Sequence, residues 1–146
     1  MNLASPARGD IIRYAYLWAE EERHGREEAA KDRPALVLAL SVLVDEGKME
    51  VLVLAVTHSP PRKAIDAIAL PPAVRRHLGL GEEESFIVTT EANAFVWPGP
   101  DVRPIPGSNP ARIIYGRVPD ELLRMGALSF LANRKKQRAA LVARTS

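Results

Sequence analysis

Two apolar runs separated by a short polar stretch constrain the fold of this chain more than any other feature. Residues 35–44 (ALVLALSVLV) and 49–57 (MEVLVLAVT) are rich in aliphatic and β-branched residues, which favours strands. The stretch DEGK between them supplies the Asp and Gly that suit a tight reversal. The pattern therefore predicts an antiparallel hairpin. Because both runs are apolar at nearly every position, we expect a hairpin that is covered on both faces or closed into a small barrel.

Shorter runs predict further strands around this hairpin. They contain β-branched or aromatic residues, and the first shows partial alternation, which favours strands over helices. The runs are residues 10–18, 62–70, 85–90, 93–97 and 111–118. Together with the hairpin they predict a mostly antiparallel β core.

Two segments predict helices and two predict connections. Residues 71–81 begin with proline and end with glycine, as a short helix does. Residues 119–142 predict a long C-terminal helix that starts at a Pro-Asp pair. Its apolar positions recur at helical spacing, at Leu122, Leu123, Leu128 and Leu131. The polar residues 19–32 predict a mobile loop, and the Pro- and Gly-rich residues 97–110 predict a connection. The fold class expected from these elements is mostly β with α (α+β).

Length and composition limit the classes of protein to which this chain can belong. A chain of 146 residues suits one domain, predicted over residues 1–146 with an N-terminal tail at 1–8. The absence of cysteine excludes disulfides, thiolate catalysis and cysteine-ligated zinc. Three scattered histidines, none paired at helical spacing, argue against a zinc site. No run has the length of a membrane span and no secretory signal is present, so we expect a cytoplasmic protein without membrane contact.

Three motifs occur in an order that resembles the MazF/PemK family of bacterial toxins. They are GDII at residues 9–12, KDRPALVL at 31–38, and an apolar strand that ends at Thr57. IALPPAVRRHLGLG and IIYGRVPDELL are similar to later family segments more loosely. The resemblance implies an SH3-like small β-barrel of the MazF/CcdB toxin type with a C-terminal helix. It also implies a homodimer without cofactors, a cognate antitoxin as partner, and metal-independent, sequence-specific cleavage of mRNA, a single-stranded RNA.

The resemblance places Arg33 and Thr57 at the active site, and their chemistry agrees with that role. Metal-free RNA cleavage uses the 2'-hydroxyl as nucleophile, and it needs a base, a fixed positive charge and an acid. Arg33 suits the charge, since a guanidinium stays protonated and offers paired donors. Pro34 pushes Arg33 toward an extended conformation, and the hairpin brings Thr57 beside it.

The residues that follow Thr57 are candidates for substrate binding. His58 titrates near neutral pH and could act as acid or base, but Arg33 itself or a water could also supply the proton. Ser59 and Arg62 would hold flanking phosphates.

Several structural interpretations compete with these roles. Arg33 also fits an ion pair with Asp32 or Asp10, and Thr57 fits an ordinary strand residue. Trp97 fits a core anchor better than a base-stacking platform. The basic residues 133–138 (NRKKQR) fit phosphate contact and a helix C-terminus equally well. Asp101 and Arg103 lie near the place of further family active-site groups, but the motif around them does not match, so those roles are not transferred.

Two other functions are compatible with the sequence. One is a non-catalytic protein-binding module on the same barrel, gyrase-poison-like or inactive, because a fold does not fix a function. The other is a DNA-binding hairpin of the AbrB type, which IALPPAVRRHLGL also resembles. Those domains are short and swapped, whereas here the motif has strands on both sides, so we regard this second similarity as coincidental.

Overall fold

Eight strands and three helices lie in the part of the chain that the structure describes. This computed structural model describes residues 5–25, 30–43, 48–136 and 139–144. The strands are β1 (Asp10–Tyr16), β2 (Lys31–Leu43), β3 (Lys48–Thr57), β4 (Ala67–Ala69), β5 (Phe86–Val88), β6 (Glu91–Trp97), β7 (Ile114–Arg117) and β8 (Ala140–Ala143). The helices are α1 (Ala19–Arg23), α2 (Pro72–Leu78) and α3 (Asp120–Lys135). The structure confirms the mixed, β-rich α+β class.

The predicted hairpin is present and forms the centre of the sheet. β2 and β3 pair antiparallel, from Ala35 opposite Ala55 to Leu43 opposite Lys48. The DEGK reversal falls largely on residues 44–47, which lie outside the described residues. β1 pairs with the outer edge of β2, and β7 pairs with β1. On the other side β3 pairs with β6 along its first half and with β5 at its end.

The remaining pairings extend the sheet at its margins. β4 pairs with β5, and β8 pairs with β6 in parallel, whereas the other named pairs are antiparallel. In the strand order β4-β5-β3-β2-β1-β7 the two outermost strands, β4 and β7, do not pair with each other in the described ranges. The sheet is therefore open there.

Apolar side chains cover both faces of the sheet, because successive strand residues point to opposite sides. One face carries a cluster rich in aromatic residues, which includes Tyr14, Tyr16, Val53, Phe95 and Trp97. The opposite face packs under α3, through residues that include Leu36, Leu54, Ile87, Leu122 and Phe130. Trp97 is only 9% exposed, which confirms the prediction of a core anchor.

The short helix α2 forms where the sequence predicts it. Pro72 occupies its first turn, and Gly79 ends it with φ of 68° in the left-handed region that glycine favours. The helix lies against β7 at Gly116, where a Cβ would stand 2.9 Å from a methyl group of Leu78. A larger residue at that position would therefore require the Leu78 side chain to shift, and it would also have to adopt the φ of 149° that L residues rarely take.

The C-terminal helix starts as predicted but is shorter than expected. α3 begins at Asp120 and ends at Lys135, not at residue 142. Residues 140–143 leave the helix because they form β8, with Ala140 opposite Glu91 of β6. The buried face of α3 consists of Leu122, Gly126, Phe130 and Asn133, while Leu128 and Leu131 are 57% and 60% exposed. In the described ranges no helix combines the length and apolar character that a membrane crossing requires.

Two further predictions need correction. The mobile loop predicted over residues 19–32 contains α1 and the start of β2, although residues 26–29 lie outside the described part. The strand predicted over residues 62–70 begins only at Ala67, after a single 3-10 turn (Ala64–Asp66). That turn is held by Asn133 of α3, whose side-chain amide donates to the carbonyl oxygen of Ile65 at 3.2 Å.

Part of the predicted tail at 1–8 is bound to the sheet, since Arg8 donates to the carbonyl oxygen of Leu38 at 3.2 Å.

Arg144, the residue after β8, forms a buried ion pair. The side chain of Arg144 is 3% exposed, and its Nη2 lies 3.0 Å from Oδ1 of Asp101. Its Nη1 donates to the carbonyl oxygen of Ala15 in β1 at 2.6 Å. Arg144 thus links the C-terminal end of β8 to β1 and to the connection between β6 and β7.

Asp101→Ala should destabilise the protein by roughly 3–5 kcal/mol, because it leaves the guanidinium of Arg144 buried without its carboxylate. Urea unfolding measures the change. Glu121→Ala is the matched control: it removes a carboxylate from an exposed pair with Arg124 and should cost less than about 1 kcal/mol. Equal effects of the two variants would contradict a structural role for the buried pair.

Candidate functional site

The candidate site lies where β2 and β3 separate. Their pairing begins at Ala35 opposite Ala55, whereas the residues of β2 before Ala35 pair with β1. The end of β3 pairs instead with β5, with Thr57 opposite Phe86. Pro34 stands at this separation and has no N–H to donate to a neighbouring strand. Arg33 and Thr57 lie two residues beyond the last pair, so strand alternation directs both to the same face.

Arg33 and Thr57 line two pockets at once. The first pocket has a volume of about 410 Å³ and is also lined by Trp18, Ser59 and Arg62. The second has a volume of about 260 Å³ and is also lined by Lys31, His58 and Ser85. The structure therefore brings together all five residues that the sequence predicted, with Arg33 and Thr57 common to both pockets.

The guanidinium of Arg33 is half-buried and has no anionic partner among the described residues. Its Nε is shielded from solvent and has no hydrogen-bond partner. Its Cζ lies 4.9 Å from the centroid of the Trp18 ring, in a cation–π contact. Burial lowers the pKa of Arg33 below its ordinary value, while the nearby carboxylate of Glu21 opposes that shift without forming an ion pair with Arg33. A half-buried arginine in this state would gain from binding an anion.

The carboxylates proposed as structural partners of Arg33 are engaged elsewhere. Asp32 lies 3.6 Å from Nε of Arg103 and 4.0 Å from Nε of Arg13. Asp10 lies 3.6 Å from Nε of Arg117. The structural interpretation of Arg33 as the partner of either aspartate is therefore wrong.

Thr57 has a hydroxyl proton free for a ligand. Its Oγ1 accepts a hydrogen bond from the backbone N–H of Ser59 at 3.2 Å. A hydroxyl has one donor and two acceptor positions, and no described residue accepts from Thr57. The hydroxyl is thus oriented as an acceptor toward the chain and keeps its donor for an anion in either pocket.

His58 is oriented through one of its ring nitrogens. Nδ1 lies 3.0 Å from the carbonyl oxygen of Glu84, 3.3 Å from Oγ of Ser85 and 3.7 Å from the carboxylate of Glu83. Because a carbonyl oxygen only accepts, this contact places the proton on Nδ1. In the neutral ring Nε2 is then the acceptor, which is the form that a general base requires.

The sequence interpretation missed the residues that surround Arg33 from the side of β1 and β6. Trp18 makes a cation–π contact with Arg33, and the turn that carries Trp18 is held by two side chains of β6. Asn93 makes two bonds to the backbone of Leu17, at 2.9 Å and 2.8 Å. Glu91 accepts from the backbone N–H of Ala19 at 2.9 Å and from the hydroxyl of Tyr16 at 3.3 Å. Strand alternation was the available signal, since it places Trp18 on the face of Tyr14 and Tyr16.

Two buried acidic groups in this surround have raised pKa values. Burial raises the pKa of Glu91, although the bonds from Ala19 and Tyr16 act in the opposite direction. Burial, followed by the charge of Glu91 and the bond to it, raises the pKa of the Tyr16 hydroxyl. Asp66, another residue that the sequence interpretation missed, adds a carboxylate to the lining of the first pocket. In the described ranges no group of three or more His, Asp or Glu residues is arranged to hold a metal ion.

Asp101 and Arg103 do not line either pocket. Asp101 pairs with Arg144, and Arg103 pairs with Asp32 and donates to the carbonyl oxygen of Pro100. The basic residues near the end of α3 are in part structural, since Arg134 donates to the carbonyl oxygen of Ala139 at 3.0 Å. Residues 137 and 138 of that run lie outside the described part of the chain.

Neither the models of known protein families nor the curated proteins contain a match to this chain. The resemblance drawn from GDII, the Arg-Pro pair and Thr57 stays a prediction. Interpretation of the site therefore depends on its geometry.

Glu91→Gln should make the protein less sensitive to pH. A carboxyl whose folded pKa is raised costs no stability below its unfolded pKa of about 4.3, and it lowers stability as pH rises through the folded value. The amide keeps an acceptor for Ala19 but cannot ionise. We therefore expect the stability of the variant relative to the native protein to increase as pH rises above the unfolded pKa of about 4.3, measured by urea unfolding. A difference that is constant with pH, or equal to that of exposed Glu121→Gln, would contradict this.

Proposed function

We propose that this protein is a metal-independent endoribonuclease that cleaves single-stranded mRNA by attack of a 2'-hydroxyl on the adjacent phosphate. The observation that carries this proposal is the state of Arg33. Its guanidinium is half-buried, has no anionic partner among the described residues, and lines two pockets together with the hydroxyl of Thr57. The phosphodiester of a single-stranded RNA is an anion that suits this arrangement, because it can accept hydrogen bonds from both side chains.

Arg33 and Thr57 would act on the charge that develops at phosphorus. The attack of the 2'-oxygen produces a dianionic transition state, and preorganised donors lower its free energy more than that of the ground state. Arg33 offers paired N–H donors to the non-bridging oxygens, and Thr57 offers its remaining O–H. The two pockets leave room for the nucleosides on either side of the phosphate.

His58 is the group best arranged to take the proton from the 2'-hydroxyl. Its Nδ1–H is held by the carbonyl oxygen of Glu84, so the lone pair of the neutral ring is on Nε2. His58 and the Arg33–Thr57 pair line the same pocket. The leaving 5'-oxygen would take its proton from water or from Arg33.

The proposal extends to the family that the sequence resembles. It includes an SH3-like barrel of the MazF/CcdB toxin type with a C-terminal helix. The β-rich α+β class and the helix α3 after β7 support this part of the proposal, whereas the sheet is open over the described ranges. With that family come the role of toxin in a type II toxin-antitoxin system, a homodimer, a cognate antitoxin and a cytoplasmic location. Ser59 and Arg62 line the first pocket, where they would hold the flanking RNA.

Purified protein should cut a long RNA into discrete fragments in the presence of EDTA. Arg33→Ala should lower the rate by roughly 10²–10³-fold, as for loss of one preorganised donor group, and Arg33→Lys should restore only part of it because lysine lacks paired donors. Gel analysis of the fragments measures the rate. The control is Arg76→Ala, which removes an exposed arginine of α2. Intact RNA across varied sequences, or equal cleavage rates for the two alanine variants, would contradict the proposal.

Thr57→Ala should slow cleavage, whereas Thr57→Ser should retain most of the rate. Serine keeps the hydroxyl that donates to phosphate, while alanine removes it and also leaves the N–H of Ser59 without its acceptor. Single-turnover cleavage with saturating protein measures the chemical step. If alanine and serine reduce the rate equally, the hydroxyl is not the group that matters.

A non-catalytic protein-binding module is the second candidate. Asp101 and Arg103 lie outside both pockets, so they do not add a second charged pair beside Arg33. The lack of that pair at the site favours a protein without nuclease activity. Such a protein would leave RNA intact and would retain a stoichiometric protein partner in a pull-down. Cleavage that depends on Arg33 would exclude it.

A further inference from the structure

Trp18 makes the contact that positions Arg33 within the described part of the chain. Cζ of Arg33 lies over the Trp18 ring, 4.9 Å from the ring centroid. No described residue forms a hydrogen bond or an ion pair with that guanidinium. An unrestrained arginine side chain has several rotatable bonds and samples many conformations. The aromatic ring is therefore the means by which the fold restricts it.

A ring is better suited to this task than a carboxylate would be. The N–H donors of a guanidinium point outward from its edges. A cation–π contact acts on the positive charge and does not require those donors, so it restricts the side chain and leaves them available. A carboxylate would use two of the donors that an incoming phosphate needs.

The ring is itself held in place from the sheet. Asn93 and Glu91 lie two residues apart on β6, so their side chains share one face of the strand. Asn93 binds both backbone groups of Leu17, and Glu91 binds the N–H of Ala19. These bonds fix the residues immediately before and after Trp18. Tyr16 adds an edge contact to the Trp18 ring, with centroids 5.0 Å apart.

We propose that Trp18 is a positioning residue, clamped by Asn93 and Glu91, that holds the guanidinium of Arg33 toward the two pockets for a phosphate of single-stranded RNA. This role rests on the proposed function, because it presumes that Arg33 binds RNA. Trp18 acts through Arg33, so its effect on RNA binding disappears when Arg33 is absent.

The test is a double-mutant cycle in RNA binding. A fluorescent 2'-O-methyl oligoribonucleotide, which lacks the attacking hydroxyl, is titrated against the native protein, Trp18→Leu, Arg33→Ala and the double variant. Trp18→Leu should weaken binding by roughly twofold to thirtyfold, the range expected for a cation–π contact. In the Arg33→Ala background the same substitution should have no further effect. Trp18→Phe should retain most of the affinity, because phenylalanine keeps an aromatic face and leucine does not.

The outcomes separate this inference from the proposed function. If Arg33→Ala weakens binding but Trp18→Leu does not, the positioning role alone is overturned. If Trp18→Leu weakens binding equally with and without Arg33, Trp18 contacts RNA directly or supports the fold, and the positioning role is again overturned. If Arg33→Ala leaves binding unchanged, both proposals fail. Urea unfolding of each variant identifies a general loss of fold, and rescue by phenylalanine is the result that a purely space-filling role would not give.

Discussion

The missing N–H of Pro34 is the constraint on which the candidate site depends. A strand can exchange hydrogen bonds with neighbours on both edges, but proline has no N–H to donate. β2 keeps its pairing with β1 through this position, and its pairing with β3 begins only at Ala35. The end of β3 turns to β5 instead. Two adjacent strands that separate in this way leave space between their ends, and Arg33 and Thr57 lie there.

This arrangement carries an energetic cost that the rest of the fold must offset. A half-buried guanidinium without an anion loses hydration and gains little in return, as the lowered pKa of Arg33 reflects. Two other buried polar side chains have clear partners: Asn93 binds both backbone groups of Leu17, and Arg144 binds Asp101. Natural proteins tend to break such rules at functional sites. The contrast between Arg33 and Arg144 is therefore informative, because both guanidiniums contact aromatic side chains of the same cluster and only Arg144 forms an ion pair with a described carboxylate.

Local sequence patterns predicted the hairpin, β1, α2 and the start of α3, because each depends on residues close together in the chain. The meeting of Arg33 and Thr57 followed from hairpin register for the same reason. β8 was missed, since its few apolar residues follow a helix directly and its partner β6 lies about fifty residues earlier. The contact of Trp18 with Arg33 was missed because it joins two strands through a turn, and the position of that turn is set by β6. Pairings between distant segments leave no local signal in one sequence.

The proposed phosphodiester ligand differs from a carboxylate in the way it would occupy the site. Either anion has enough lone pairs to accept from Arg33 and from Thr57. The hydroxyl of Thr57 is already oriented by the bond from Ser59, so it can donate to either anion. A phosphodiester has two non-bridging oxygens and two ester oxygens, so it can accept from Arg33 and Thr57 together. It also continues as a chain in two directions, and the pair lines two pockets. An acidic side chain of a protein partner ends at its carboxylate and would occupy one pocket, whereas the proposed strand of RNA would extend through both.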